Sequence, residues 1–279
     1  MLELGWYCPS EGDGRRLGTR RPERPPTIGY LARVARAAER AGAAVILIPT
    51  GTVNDSYAPD APFMESWTTA SALAALTRRI RLLVAVNPAA LRPELAAHQA
   101  GTLEAIAPGR VAINLVAGGG PEGLYGSEPL DHDARYARLG ELADALRARW
   151  RGPLYLGGAS QAAMTLAARV ADTYLMWGEP PEQVTVRAAA IRARAGRPIR
   201  VGLRVHVVAR RSEREARAAA AAIVAGARVH GDRAREYAGF DSVGQARMNA
   251  LPADGEGWVA PGLWAGIRAV RGGAGTALV

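Results

Sequence analysis

A chain of 279 residues, 49% of them apolar, can build one large α/β domain or two smaller ones. No stretch of it reaches the roughly 18 to 20 continuous apolar residues of a membrane span. A lone cysteine, Cys8, excludes an intramolecular disulfide framework and a cysteine-rich metal site. The formal charge of +9 rests on 35 basic residues, all arginine, which are dispersed over helical stretches without interleaved aromatics. Solvated helix faces therefore explain the charge better than nucleic-acid binding does.

Strand and helix signals alternate along the chain. Residues 2–7 read as a first strand without the basic and apolar regions of a signal peptide, which makes the cytoplasm the expected compartment. Leu31, Val34, Ala35 and Ala38 follow at helical spacing, with Gly42 as the stop signal. Strand patterns occupy 44–49 and 81–86, and Pro93 then stands where a first helical residue tolerates proline. After a strand at 111–116, Leu139, Leu142, Ala143, Leu146 and Trp150 form an apolar helical stripe. Strands at 154–157, 171–177 and 200–208 follow, and Ser212 with Glu215 forms a capping box before an alanine-rich helix.

Repeated β-then-α units imply a parallel sheet, either open and doubly wound or closed as a (β/α)₈ barrel. No Gly-x-Gly-x-x-Gly follows the first strand, so the barrel is favoured. Several strands end in small residues suited to a ligand-facing rim, among them Pro49-Thr50-Gly51 and Gly157-Gly158-Ala159-Ser160. The expectation is a single α/β domain over 1–279: a TIM (β/α)₈-type barrel with seven strand candidates, truncated before the closing eighth strand. Such a barrel leaves two sheet edges unpaired.

In Arg200-Val201-Gly202-Leu203-Arg204-Val205-His206-Val207 an apolar residue alternates with another kind, so Arg204 and His206 share one face. With helices on the apolar face, both point into the barrel, where a charge is costly unless it serves a ligand. Asn114 falls on the inner face of its strand, as a satisfied core amide or as a partner for a heterocycle edge. His132 and Tyr136 are four apart at a helix start, fit for capping or for phosphate. The Gly158–Ser160 turn offers close backbone approach and helix N-terminal amides. Trp177 ends a strand where a flat ligand stacks or where ordinary packing suffices. Four dispersed histidines give no metal site, and there is no Gly-x-Ser-x-Gly elbow.

Together these segments resemble the flavin-dependent alkanesulfonate monooxygenases of the bacterial luciferase-like superfamily. The resemblance runs through Gly12-Asp13-Gly14, Leu47-Ile48-Pro49-Thr50-Gly51, Asn114-Leu115-Val116 and Leu130-Asp131-His132 with Arg135-Tyr136. It continues in Trp177-Gly178-Glu179-Pro180-Pro181-Glu182, Arg204-Val205-His206-Val207, Asp241-Ser242-Val243-Gly244-Gln245, and Leu263-Trp264-Ala265-Gly266 with Val270-Arg271-Gly272-Gly273. It implies FMN, bound as FMNH₂ supplied by a separate NAD(P)H-dependent flavin reductase, and oxidation of an alkanesulfonate or related small organic anion to an aldehyde and sulfite. It further implies that Asn114 meets the isoalloxazine, that His132, Tyr136, Gly158 and Ser160 hold the phosphate, and that Trp177, Arg204, His206 and Arg271 line the sulfonate pocket. Members of the family self-associate. The family's histidine before Gly-Asp-Gly is Glu11 here, its cysteine after the second strand has no counterpart, and its last helix and strand are missing. The alternatives are a catalytically impaired member that binds flavin or a partner, and an oxidoreductase that uses the deazaflavin F420.

Overall fold

Runs such as Val45-Ile46-Leu47-Ile48 are too short and too uniformly β-favouring for a helix, and they pair as strands in the order of the chain. The structure, a computed structural model, describes residues 2–14, 19–54, 56–89, 91–118, 130–225, 242–269 and 275–279. Its main body runs β1 (Gly5–Tyr7), α1 (Ile28–Arg40), β2 (Val45–Ile48), α2 (Ser66–Leu76), β3 (Arg81–Val86), α3 (Pro93–Ile106), β4 (Val111–Leu115), α4 (His132–Arg149), β5 (Leu154–Gly157), α5 (Gln161–Val170), β6 (Thr173–Trp177), α6 (Pro181–Ala195) and β7 (Arg200–Arg204). The seven strands form one sheet in the order β1 to β7, and every neighbouring pair is parallel.

Because side chains alternate along each strand, the register sorts them onto two faces. Ile46, Leu82, Val84, Ile113, Leu115, Leu156 and Met176 belong to the large core with the helices. The other face carries a smaller cluster of Leu83, Ala112 and Tyr155, with Val45, Leu47 and Leu175 packed against it. Full burial of each aliphatic side chain contributes about 1.5–3 kcal/mol, so a one-residue slip of any central strand is strongly disfavoured. The sheet curls around the inner face until its outer strands come within side-chain reach. Glu3, just before β1, accepts from Arg200 of β7 at 3.1 Å, and the Arg204 guanidinium lies 5.3 Å from the Tyr7 ring. The two strands remain unpaired with each other. This is a curled seven-stranded half-barrel of the TIM type, flanked by helices.

A second sheet joins β8 (His206–Val207), β9 (Trp258–Ala260), β10 (Leu263–Trp264) and β11 (Ala277–Leu278) in the order β8-β11-β10-β9. The strand expected over 200–208 therefore divides at Val205. The Arg204 carbonyl still accepts from Gly178 beyond β6, at 3.1 Å, whereas the His206 N–H donates to Thr276 at 3.0 Å and that of Val208 to Leu278 at 2.8 Å. Helix α7 (Glu213–Ala225) covers this sheet by packing Ala220 against Trp264, Ile267 and Ala277. Helix α8 (Val243–Ala250) starts at Ser242, whose hydroxyl accepts from the Gln245 N–H. Among the described residues no helix is long and apolar enough to cross a membrane.

Candidate active site at the C-terminal mouth of the barrel

The C-terminal ends of the parallel strands gather Tyr7, Asn114, Gly157, Trp177 and Arg204 on the inner face. The pairings Tyr7 with Leu47, Ala85 with Asn114, Gly157 with Leu175 and Trp177 with Arg204 fix this arrangement. Asn114 is the informative member. Its Oδ1 is buried and has no hydrogen-bond partner among the described residues, a state that is rare for a buried acceptor because it forfeits the bonds made with water. Among the described residues nothing satisfies Oδ1 as a core amide would require.

One strand over, the β5–α5 turn is built for close approach. Gly158 has φ +134, and a Cβ there would lie 2.7 Å from Ala163 Cβ and 2.8 Å from Tyr136 Oη. Only the absence of a side chain lets helix α4, the turn and the start of α5 meet. Ser160 is buried and caps α5, its hydroxyl accepting from the Ala163 N–H at 3.1 Å. Asp131 caps α4 by accepting from Ala134 at 2.7 Å, which leaves His132 and Tyr136 on one face with ring centroids 4.9 Å apart. His132 Nδ1 lies 2.9 Å from Asp133 Oδ1. His132, Tyr136, Gly158 and Ser160 are thus brought together where two helices begin, the end of a helix that attracts anions. Beside them an open groove of about 450 Å³ runs between α4 and α5, lined by Tyr136, Gln161, Thr165 and Arg169 among others.

At the other side of the mouth, the Arg204 guanidinium sits 5.3 Å from the Tyr7 ring and 5.6 Å from the Trp177 ring. Such contacts orient a guanidinium while leaving its N–H donors available. No carboxylate among the described residues pairs with it, and it is exposed rather than buried. The Trp177 ring is backed by Gly275, where an added Cβ would stand 3.5 Å from it. His206 lies two residues further on in β8, so it shares no strand with Arg204 as the alternation had implied. The chain crosses tightly at this point: a Cβ on Gly178 would stand 2.4 Å from Val205 Cγ1 and 2.5 Å from Thr276 Oγ1, and that hydroxyl donates to the Gly178 carbonyl at 2.6 Å. Arg271 lies outside the described residues.

Three residues that sequence reasoning passed over stand behind these groups. Glu179 is buried and accepts from Arg187 and from Arg247. Burial alone would push its carboxyl up, but the hydrogen bonds from Arg247 and the charges of both arginines outweigh it and hold the group below its ordinary value. The Trp177-Gly178-Glu179 run was visible in sequence, yet the partners on α6 and α8 were not.

The family model described as luciferase-like monooxygenase matches residues 2–152 and 151–267. Among solved structures, the chain is similar to a riboflavin lyase, RcaE, with modified FMN and substrate riboflavin, at 17% identity over 91% of this chain and 72% of that one, with a TM-score of 0.73. It is similar to the EDTA monooxygenase EmoA from Chelativorans sp. BNC1 at 18% identity, over 91% and 70% of the two chains, with a TM-score of 0.71. An F420-dependent secondary alcohol dehydrogenase in complex with an F420-acetone adduct matches at 15% identity, over 77% and 72%, with a TM-score of 0.60. At these identities the likeness concerns the fold. The family model, which spans most of the chain, carries the assignment: the chain belongs to the luciferase-like monooxygenase family.

Proposed function

We propose that this chain binds FMN across the C-terminal mouth and uses it, reduced, to oxidise a small organic anion of the alkanesulfonate type. The observation that carries the reading is the buried Oδ1 of Asn114, which has no partner among the described residues and lies one strand from a glycine turn at two helix starts, on the same rim as an arginine that no described carboxylate pairs. An orphaned acceptor suits the N–H edge of an isoalloxazine. The cradle formed by Gly158, Ser160, Tyr136 and His132 suits the phosphate through backbone amides, a hydroxyl and the positive helix end. When bound, the reduced flavin supplies the activation of O₂ and two reducing equivalents.

The side chains bind and orient the other reactant. Arg204 offers paired N–H donors to a sulfonate, a permanent anion that charge-assisted hydrogen bonds hold in a fixed direction. Trp177 and Tyr7 flank that guanidinium with their ring faces, which orient it while leaving its N–H donors free for the anion. His206 and Arg271 are proposed to complete the substrate side. In the overall change the alkanesulfonate, O₂ and reduced FMN yield an aldehyde, sulfite, water and FMN. One oxygen atom goes to the carbon as its bond to sulfur breaks, and the other leaves as water. The reduced flavin comes from a separate NAD(P)H-dependent reductase.

The test is sulfite release from a panel of alkanesulfonates by the purified chain with a flavin reductase, NADPH, FMN and oxygen. Sulfite and aldehyde formed in equal amounts support the reading. NADPH oxidation that yields only hydrogen peroxide with every sulfonate overturns the substrate assignment.

A further inference from the structure

Tyr174 of β6 is fully buried among the helix-facing core residues, and its hydroxyl donates to the carbonyl of Gly158. Burial pushes this hydroxyl up, while the nearby positive charge of Arg187 of α6 acts against that and strengthens it as a donor. The Arg187 side chain is only 10% exposed and also donates to both carboxylate oxygens of Glu179, at 3.0 Å each. Glu179 in turn holds Arg247 of α8, with Nε and Nη2 donating at 3.1 and 2.9 Å. One carboxylate therefore serves two guanidinium groups, and the cluster keeps a net positive charge behind the β5–α5 turn. Desolvating such a cluster is costly, and apolar residues of similar volume commonly stabilise a fold as well or better. Its effect on a single peptide plane is more telling. With the Gly158 carbonyl drawn back to Tyr174, the trans peptide turns the Ala159 N–H to the opposite side.

We propose that Arg187 is a positioning residue for the flavin phosphate. Acting through Tyr174, it keeps the Gly158 carbonyl oxygen away from the anion, turns the Ala159 amide toward it and adds positive charge beneath the turn. This rests on the FMN reading above and goes beyond it by naming how the turn is set.

The experiment is an anaerobic titration of the wild-type chain, Arg187→Met and Tyr174→Phe with dithionite-reduced FMN and, separately, reduced riboflavin, followed by tryptophan fluorescence. Thermal melts establish that each variant is folded, and Tyr174→Phe keeps the test in force should Arg187→Met fail to fold. The expected result is a loss of about tenfold in FMN affinity in both variants, the scale of one hydrogen bond to a charged group, with riboflavin affinity unchanged. Equal losses for both flavins, or an FMN affinity that neither variant alters, overturn the role of Arg187. A wild-type chain that binds FMN no tighter than riboflavin overturns the phosphate site itself, and the two failures are thereby told apart.

Discussion

Substitution of alanine at Gly158 and at Gly101 should move stability in opposite directions. At Gly158 the new Cβ would stand 2.7 Å from Ala163 Cβ and 2.8 Å from Tyr136 Oη, at a φ of +134. The backbone strain costs about 1–3 kcal/mol, and overpacking at two contacts adds about 1–3 kcal/mol. At roughly 2–4 °C per kcal/mol for a domain approaching this size, the combined loss of about 2–6 kcal/mol lowers Tm by about 4–24 °C. Relief requires α5 or Tyr136 to move, so binding of reduced FMN should weaken in parallel. Gly101 lies exposed in helix α3, and a Cβ there meets nothing within 4 Å. Its replacement should stabilise by about 0.5–1 kcal/mol. Paired calorimetric melts and FMN titrations measure both effects. A Gly158→Ala protein that melts with the wild type and binds FMN equally would refute the claim that close approach at this turn builds the site.

Three further outcomes follow from single groups. Arg204→Met should raise KM for a sulfonate by about 10–100-fold through loss of a charge-assisted contact, with reduced-FMN affinity unchanged; a KM left at the wild-type value would remove Arg204 from substrate binding. Because the Glu179 carboxyl is held below its ordinary value of 4.5, its contribution to stability is complete above that value and lost as the pH falls through the lower, folded one. Melts across acidic pH should therefore steepen downward in the wild type and flatten in Glu179→Gln, and parallel curves would contradict the ion cluster. Burial pushes the Cys8 thiol up to about 11, so a disulfide reagent at mildly alkaline pH should label it only after denaturation; rapid labelling of the native chain would contradict its placement in the core.

The parallel sheet was legible in the sequence because its signals are local. Alternation in β7 and β4 placed Arg204 and Asn114 on the inner face, as the register bears out. The break at Val205 was not legible. It arises because Thr276 and Leu278 capture the backbone of His206 and Val208, a pairing across some seventy residues that no periodicity within β7 records. The small sheet was missed for the same reason, since its strands are two or three residues long and owe their existence to one another. Glu179 stood in a segment singled out for its tryptophan, but its importance comes from Arg187 and Arg247 on two different helices. The side-chain pairing of His132 with Tyr136 was visible from their spacing, whereas the contact of Tyr136 with the Gly158 turn required the packing of α4 on α5.

The most direct test of the central claim is the electron density of crystals of this chain soaked in FMN. The account predicts the ring edge against Asn114 and the phosphate at the Gly158–Ser160 turn near Tyr136, with the mouth beside the Trp177–Arg204 pair left open for substrate. Density for FMN at any other place, or none at saturating concentration, would contradict it.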